Sequence, residues 1–314
     1  MKNYPLQDWA NTTKRLAREA GFSFVGISKA QRLDEEAERL EAWLAQGAHG
    51  KMGYMENHFE KRVDPRKLVP GARSVVSLMY NYSTDRRPAD PDAPKISTYA
   101  YGKDYHYVIK DKLRTLVRSM EDEIGREIQG RCFTDSAPVM ERDWARRSGI
   151  GWMGKNTLLI HPRAGSYFFL AELIIDLPLA ADGPMKDYCG TCTKCIEACP
   201  TDAIAEEGYR LDASKCISYL TIELKDEIPE EFKGKMENWI FGCDICQEVC
   251  PWNRFSEPHS EPAFDPHHEL LAMTNSDWKE LTEDVFRKLF RKSAVKRTKF
   301  QGLKRNIKFV NKGK

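Results

Sequence analysis

The sequence contains no long uninterrupted run of apolar residues. The longest apolar stretch, 167–180, is broken by Glu172, Asp176 and Pro178, so it is too short and too charged to span a bilayer. The first fifteen residues have no apolar core of the signal-peptide type. We therefore expect a cytoplasmic protein that does not contact a membrane.

Several nucleotide and cofactor motifs are also missing. There is no P-loop, no D-x-H-x-x-G motif of cobalamin-binding proteins and no repeat of the solenoid type. The segment 149–154 matches G-x-G-x-x-G, but that fingerprint requires a strand before it and a helix after it. The pattern here predicts a helix before it and strands after it, so we interpret Gly149 as the end of a helix and not as part of a dinucleotide site.

Acidic residues are absent from the last part of the chain. The whole sequence has 49 Lys and Arg against 47 Asp and Glu, a net charge of +2. Residues 287–314, here called the basic segment, contain twelve Lys or Arg and no acid, which leaves about −10 for the rest of the chain. A basic segment attached to an acidic body suggests an anionic partner.

Periodicity predicts an α+β protein with three regions, at 1–180, 181–255 and 256–314. The first region mixes helices and strands, the second contains the clustered cysteines, and the third is helical and increasingly basic. Helices are predicted at 8–20, 33–46, 105–128 and 140–148. Strands are predicted at 22–27, 74–80, 131–134, 157–160 and 166–176, the last two joined by a turn at 162–165.

Nine cysteines in a cytoplasmic chain indicate metal or redox chemistry more than disulfides. The segment 189–200 has the C-x2-C-x2-C-x3-C-P spacing of bacterial ferredoxins, in which the fourth cysteine ligates a second cluster. A shifted set follows at 216, 243, 246 and 250. By the same logic we assign one [4Fe-4S] cluster to Cys189, Cys192, Cys195 and Cys250, and a second to Cys199, Cys216, Cys243 and Cys246.

Zinc and a redox dithiol are the alternatives for these cysteines. A single C-x2-C pair favours zinc, but a run of three cysteines and two C-P endings favour iron–sulfur clusters. Cys132 is left over and is interpreted as a small buried apolar residue.

Four segments together resemble the epoxyqueuosine reductase family, which makes the modified tRNA base queuosine. They are 61–65, 101–106, Asp135 with 141–142 and 149–156, and the cysteine set with 216–220. The resemblance implies a nitroreductase-like cobalamin-binding domain followed by a ferredoxin-like domain, an arrangement similar to reductive dehalogenases. It implies that electrons pass through two clusters to a cobalamin, which reduces epoxyqueuosine to queuosine in the wobble position of tRNA.

Asp135 matches the proton donor of the family. An epoxide oxygen is a poor leaving group until it is protonated, so the reaction needs such an acid. From the residues alone, the alternative is that Asp135 caps the helix predicted at 140–148.

The resemblance implies less about the cobalamin contacts. The residues in or near the matching segments are Arg62, Ser97, Asp135, Trp152, Lys155, Asn156, Ser218 and Asp244. A lysine or arginine among them is equally suited to a surface ion pair. Four aromatic residues nearby fit stacking on a base or packing in a core: Tyr99, Tyr101, Tyr105 and His106.

Within this family residues 295–306 of the basic segment suit the tRNA backbone, because phosphate contacts supply most sequence-independent RNA affinity. A solvated helix face is the alternative. Longer family members continue into a HEAT-like helical repeat, whereas this sequence stops at Lys314. We expect a monomer that receives electrons from a flavodoxin-type or ferredoxin-type donor. The alternative functions are a corrinoid dehalogenase acting on a small molecule and a plain electron carrier.

Overall fold

The computed structural model describes residues 6–312. Residues 1–5, at the start of the N-terminal segment, and residues 313–314, at the end of the basic segment, lie outside the described residues. The α-helices are α1 Leu6–Glu19, α2 Asp34–Ala45, α3 Phe59–Val63, α4 Pro65–Leu68, α5 Tyr105–Ile124, α6 Glu141–Arg147, α7 Lys194–Glu197, α8 Ile217–Ile222, α9 Ile245–Glu248, α10 His268–Ala272, α11 Asn275–Lys279, α12 Glu283–Leu289 and α13 Lys299–Lys312. The strands are β1 Phe24–Lys29, β2 Ser74–Asn81, β3 Lys95–Ile96, β4 Gly130–Phe133, β5 Trp152–Met153, β6 Leu159–Ile160, β7 Phe168–Ile175 and β8 Trp239–Phe241.

The main sheet has four antiparallel strands in the order β1-β2-β7-β4. Side chains alternate between its two faces along each strand. On one face Leu78 and Leu173 pack against α1 and α5, and on the other face Val75 and Ile174 pack near Trp144 of α6. The central strands β2 and β7 are therefore mostly buried along their length, and Glu172 is a charged residue type in the middle of β7.

The cysteine region and the C-terminal helices share one hydrophobic core. That core includes Leu220 and Phe241 beside the cysteines, Phe290 and Leu303 from the last helices, and Ile96 from the first region. The short parallel pairing of β3 with β8 also joins residues 95–96 to residues 239–241. The region boundaries at 180 and 255 remain predictions, and a packed interior crosses both of them.

The main helices and strands of the first region lie where the sequence predicts them, within a few residues. The helix predicted at 105–128 ends earlier, at Gly125, which has a φ of +77° that suits glycine. Gly149 follows α6 with a φ of +73°, so the interpretation of a helix end is confirmed.

The two strands and the turn predicted within 157–176 are confirmed, but the strands do not pair with each other. β6 pairs with β5, and β7 pairs with β2 and β4, so the two segments belong to different sheets. The turn between them keeps one isolated bridge, between His161 and Gly165. Within residues 6–312 no helix is long and apolar enough to cross a membrane.

Candidate active site and cluster-binding region

Four cysteines line one cavity at the surface of the cysteine region: Cys189, Cys192, Cys195 and Cys250. Cys189 and Cys192 come from the loop that leads into α7, Cys195 lies in α7, and Cys250 follows α9 from a separate segment. All four are free thiols. The arrangement brings together the four residues that the sequence assigned to one cluster.

The remaining four assigned cysteines lie deeper, within electrostatic range of one another: Cys199, Cys216, Cys243 and Cys246. The Cys216 thiol accepts hydrogen bonds from the backbone N–H groups of Ser218 and Tyr219 at the start of α8. Gly242, beside Cys243, has a φ of +67°, and a Cβ there would lie 2.5 Å from the Cβ of Ser97. The close approach of the two chain segments therefore requires glycine at this position.

Three residues expected at the cobalamin hold the cysteine loops. The buried Trp152 directs its Nε1–H to the Cys189 Sγ at 3.4 Å. Lys155 donates from Nζ to the carbonyl oxygens of Gly190 at 2.8 Å and Cys192 at 3.0 Å. Asn156 donates to the carbonyl oxygen of Cys246 at 3.0 Å. The segment 152–156 thus contacts both cysteine loops.

Ser97 and Asp244 form a second buried group of expected contacts. The Ser97 hydroxyl donates to the Asp244 carboxylate, which also accepts from the Thr98 N–H at 2.8 Å and from the Thr98 hydroxyl at 3.0 Å. Both side chains are less than 5% exposed. Ser218 lies nearby on α8 and is half-buried. These residues join β3 and the following turn to the loop of the second cysteine group.

Asp135 lies in the loop between β4 and α6 and is exposed. Its carboxylate accepts a hydrogen bond from the Tyr105 hydroxyl, and its backbone has a φ of +44°, which is uncommon for a residue with a side chain. Burial and the nearby Asp135 charge raise the pKa of Tyr105 well above its usual value, so this phenol remains a hydrogen-bond donor. The helix-cap alternative is wrong, because Met140 occupies the N-cap position of α6.

A buried pair of carboxyl groups lies behind Asp135. Glu141, the first residue of α6, accepts the Asp135 N–H at 2.5 Å. Glu172 of β7 is fully buried, and neither of its carboxyl oxygens has a hydrogen-bond partner among the described residues. The nearby charge of Glu141 adds to the effect of burial and raises the pKa of Glu172. Sequence reasoning treated Glu172 only as an interruption of an apolar run and gave Glu141 no role. A single glutamate in the middle of a central strand was the signal that it missed.

Arg62 is a buried residue at the end of α3 and contacts Tyr54. It donates from Nη2 to the Tyr54 carbonyl oxygen at 3.0 Å, while its buried Nε has no partner among the described residues. Burial lowers the pKa of Arg62, and the charges of Asp135 and Arg62 both act on the Tyr54 hydroxyl. A buried guanidinium without a carboxylate partner is suited to an anionic or amide-rich ligand.

A cleft of about 590 Å³ opens beside this site. Its basic lining residues are Lys103, Arg291, Lys292, Lys296 and Arg297, and its lining also includes Asp104, Tyr107 and Asp111. Asp104 bonds to His106 Nδ1 at 2.7 Å, and although burial opposes it, this bond raises the pKa of His106. Four of the five basic residues of the cleft belong to the basic segment.

The basic segment is a packed part of the fold, and acids from elsewhere neutralise some of its charges. Arg287, Lys288 and Arg297 pair with Glu283, Glu269 and Glu223. Arg305 donates to the carbonyl oxygens of Leu220 and Leu224 and is used structurally. The absence of acids within the segment therefore does not leave it unneutralised, and only part of its charge is available to a partner.

Two protein-family models match the chain. A model described as epoxyqueuosine reductase QueG, DUF1730, matches residues 62–136, and a 4Fe-4S double cluster binding domain matches residues 188–253. The first range contains Arg62, Ser97 and Asp135, and the second contains all eight assigned cysteines.

The chain is also similar, over nearly its whole length, to individual epoxyqueuosine reductases. It is 63% identical over 305 residues to an epoxyqueuosine reductase of Leadbetterella byssophila, covering 97% of this chain and 99% of the relative. A solved epoxyqueuosine reductase with an epoxyqueuosine-modified tRNA-Tyr stem loop matches with a TM-score of 0.84 and 31% identity, covering 98% of this chain and 81% of the other. A Bacillus subtilis epoxyqueuosine reductase with its catalytic aspartate loop swung out of the active site matches with a TM-score of 0.82 and 30% identity, covering 98% and 82%.

Proposed function

The chain belongs to the epoxyqueuosine reductase family, and from this premise we propose that it reduces epoxyqueuosine to queuosine in the wobble position of tRNA. It is an oxidoreductase with a 4Fe-4S double-cluster binding domain. The observation that carries the proposal is the 63% identity over nearly the whole length of a named relative. The net reaction takes up two electrons and two protons and releases water.

The two cysteine groups are the proposed ligand sets of the two clusters. Cys189, Cys192, Cys195 and Cys250 suit one cube because they line a single cavity, and Cys199, Cys216, Cys243 and Cys246 suit the other because they converge beneath it. Bound clusters would deliver single electrons, since each accepts or releases one electron at a time. A flavodoxin or ferredoxin type of protein is the proposed source of those electrons.

Cobalamin is the proposed second cofactor, held in the nitroreductase-like part of the chain. The residues present fit it, because Arg62 has a buried Nε without a partner and Ser97, Ser218 and Asp244 provide polar groups beside the second cysteine group. Trp152, Lys155 and Asn156 are proposed to join the cofactor side to the cysteine loops that they contact. Bound cobalamin would supply a strongly reducing centre that opens the epoxide.

Asp135 is the proposed proton donor to the leaving epoxide oxygen. Asp135 is exposed, and the Tyr105 hydroxyl bonds to its carboxyl group and fixes its orientation. Tyr105 is itself held by stacking on Phe169, with ring centroids 4.1 Å apart. An acid held in this way is poised to protonate an oxygen as the carbon–oxygen bond breaks.

The basic cleft is the proposed surface for the tRNA backbone. Arg291, Lys292 and Lys296 lie on one wall, and Lys103 lies on the wall that continues towards Tyr105 and Asp135. A tRNA whose phosphates rest in this cleft would place an anticodon base near Asp135. We further propose that the protein acts in the cytoplasm as a monomer.

The direct test is anaerobic reconstitution with iron, sulfide and cobalamin, followed by chemical reduction and addition of tRNA containing epoxyqueuosine. We expect queuosine to form only when cobalamin is present, and tRNA that lacks the modification to remain unchanged. Dehalogenation of an organohalide without any conversion of tRNA would overturn the proposal. Full conversion without cobalamin would refute the assignment of that cofactor.

A further inference from the structure

The buried carboxyl pair behind Asp135 has no role in the chemistry described above. Glu172 lies in the centre of the four-stranded sheet, opposite Ser77 of β2 and Phe133 of β4. It is fully buried, and neither of its carboxyl oxygens receives a hydrogen bond from an N–H or a hydroxyl group of the described residues. A carboxylate in such a place is costly unless it carries a proton or meets a proton donor.

The charged group that acts most strongly on Glu172 is the Glu141 carboxyl. Two neighbouring carboxyl groups can form a hydrogen bond only if at least one of them is protonated, so a bond between them would require a proton. Burial, followed by the charge of Asp135, raises the pKa of Glu141 to about 8. Burial, followed by the charge of Glu141, raises the pKa of Glu172 well above its usual value.

The charged groups around the pair do not remove this need for a proton. Asp135 approaches from the β4–α6 loop and adds negative charge. Arg142 on α6 offers partial compensation, but its guanidinium is directed to the Thr157 carbonyl oxygen at 2.6 Å. Tyr105 approaches from α5 as a neutral phenol bonded to Asp135. The pair is therefore held by its own proton.

Glu141 connects this pair to the catalytic loop. One of its oxygens accepts a hydrogen bond from the backbone N–H of Asp135. The φ of +44° at Asp135 is unfavourable for any residue other than glycine. Such a conformation persists only when the surrounding contacts enforce it. The contacts that enforce it here are the Glu141 bond to the backbone N–H, the Tyr105 bond to the carboxylate and a 3.4 Å contact of His106 Nε2 with the backbone carbonyl oxygen.

We propose that Glu141 and Glu172 form a protonated carboxyl pair that latches the Asp135 loop in its catalytic position. Glu172 anchors Glu141 to the rigid sheet, and Glu141 holds the Asp135 backbone, so both are positioning residues and neither touches the substrate. The inference rests on the proposed role of Asp135 as proton donor. A loop held by a few side-chain contacts is able to open and close without unfolding the sheet beneath it.

The test measures hydrogen–deuterium exchange of the amides at 134–140 in the protein loaded with its cofactors. Glu141→Ala removes the latch and should speed exchange in this segment by about tenfold, which is the effect of one lost hydrogen bond of typical strength. Glu141→Gln should restore slow exchange, because its carbonyl oxygen still accepts the Asp135 N–H and its amide donates to Glu172. Glu172→Leu, which keeps an apolar interior, should speed exchange like Glu141→Ala.

Glu283→Ala is the matched control, because Glu283 also begins a seven-residue helix, α12, but lies far from Asp135 in the sequence and pairs only with Arg287 among the ion pairs of the described residues. It should exchange at 134–140 like the wild type. Exchange in Glu141→Ala equal to that of the wild type, or exchange in Glu141→Gln as fast as in Glu141→Ala, would overturn the latch.

Turnover is a second, independent measurement. Glu141→Ala should lower kcat with little change in KM for tRNA, because the loop is displaced while the basic cleft is intact. If exchange responds as expected but no variant or wild-type protein converts epoxyqueuosine, the latch stands and the proposed function fails. If conversion occurs but exchange at 134–140 does not respond to the substitutions, the proposed function stands and the latch fails.

Discussion

The cysteine region and the four-stranded sheet place their functional groups in different ways. The first expected cluster takes three of its four ligands from residues 189–195, a single loop. The group around Asp135 comes from three separate elements: Tyr105 from α5, Glu141 from α6 and Glu172 from β7. A site built from one loop leaves a spacing pattern in the sequence, whereas a site assembled by the fold leaves only scattered residues.

The two sites also differ in what holds them. The cysteine loops are fixed by hydrogen bonds to their backbone carbonyl oxygens from Lys155 and Asn156, so their shape does not depend on the cysteines alone. The Asp135 loop is held by hydrogen bonds from side chains of other elements and has an unfavourable backbone conformation. We therefore expect a single substitution in the cysteine region to affect one cluster and leave the other intact. The Asp135 loop should instead respond to substitutions in the sheet.

The largest expected effect is the loss of a cluster. Cys216→Ala removes one ligand of the deeper group, so iron per protein should fall from about eight atoms to about four, with the other cluster intact. Iron and sulfide analysis after anaerobic reconstitution measures this. Cys132→Ala, which changes a half-buried free cysteine outside both groups, should keep both clusters. Full iron content in Cys216→Ala would show that the two ligand sets are drawn wrongly.

The next effect concerns Asp135. Asp135→Asn keeps the size and the backbone of the residue but removes the acid, so turnover should fall by about 10²–10⁴-fold while clusters and cobalamin stay bound. Queuosine formation per unit time measures it, with Asp122→Asn as the control because Asp122 is exposed on α5. Equal turnover in the two variants would show that Asp135 is not the proton donor. The comparison between the cysteine region and the Asp135 group would then no longer apply.

A smaller effect is expected at the basic cleft. Replacing Lys292 and Lys296 by alanine removes two charges from its wall, so the slope of log affinity for tRNA against log salt should decrease by about 0.7–0.9 for each phosphate that the cleft no longer neutralises. Lys308→Ala, on the exposed face of α13, is the control and should leave the slope unchanged. A double variant with the wild-type slope would place the tRNA elsewhere.

The smallest effect is the pH dependence of stability. Glu141 and Glu172 have raised pKa values in the folded protein, so the folded state binds more protons than the unfolded state above about pH 4.5, and this contribution to stability is lost as pH rises through about 8. Between pH 5 and 9 the Tm of the wild type should fall further than that of Glu172→Gln, by roughly 2–4 °C for each kcal/mol. Parallel Tm curves for the two proteins would show that the pair carries no extra proton.

The order of these effects follows what the sequence could and could not predict. Helices such as α1 and α5 were predictable because their periodicity is strong, and the cysteine groups were predictable because cluster geometry demands a local spacing. The sheets that β6 and β7 join were not predictable, because a turn between two apolar segments does not determine which sheet each segment joins. The role of Arg305 was also hidden, since a basic residue that donates to backbone carbonyl oxygens looks in the sequence like one exposed to solvent.

Asp135 was only partly predictable from the sequence. The family resemblance identified it, whereas its spacing from 140–148 suggested a helix cap, and the structure places Met140 at that cap. The carboxyl pair behind it could be seen only once β7 and α6 were packed together. Functional residues that act through a buried neighbour are the ones that sequence patterns miss.

The most direct test of the central claim is a single-turnover count of electrons. The protein is loaded with clusters and cobalamin, reduced, freed of reductant, and mixed without oxygen with an epoxyqueuosine-modified tRNA stem loop, and oxidised cluster and queuosine are measured together. The account predicts that about two reducing equivalents disappear for each queuosine formed, as the net two-electron reaction requires. Queuosine that forms without oxidation of the protein, or oxidation without queuosine, would contradict it.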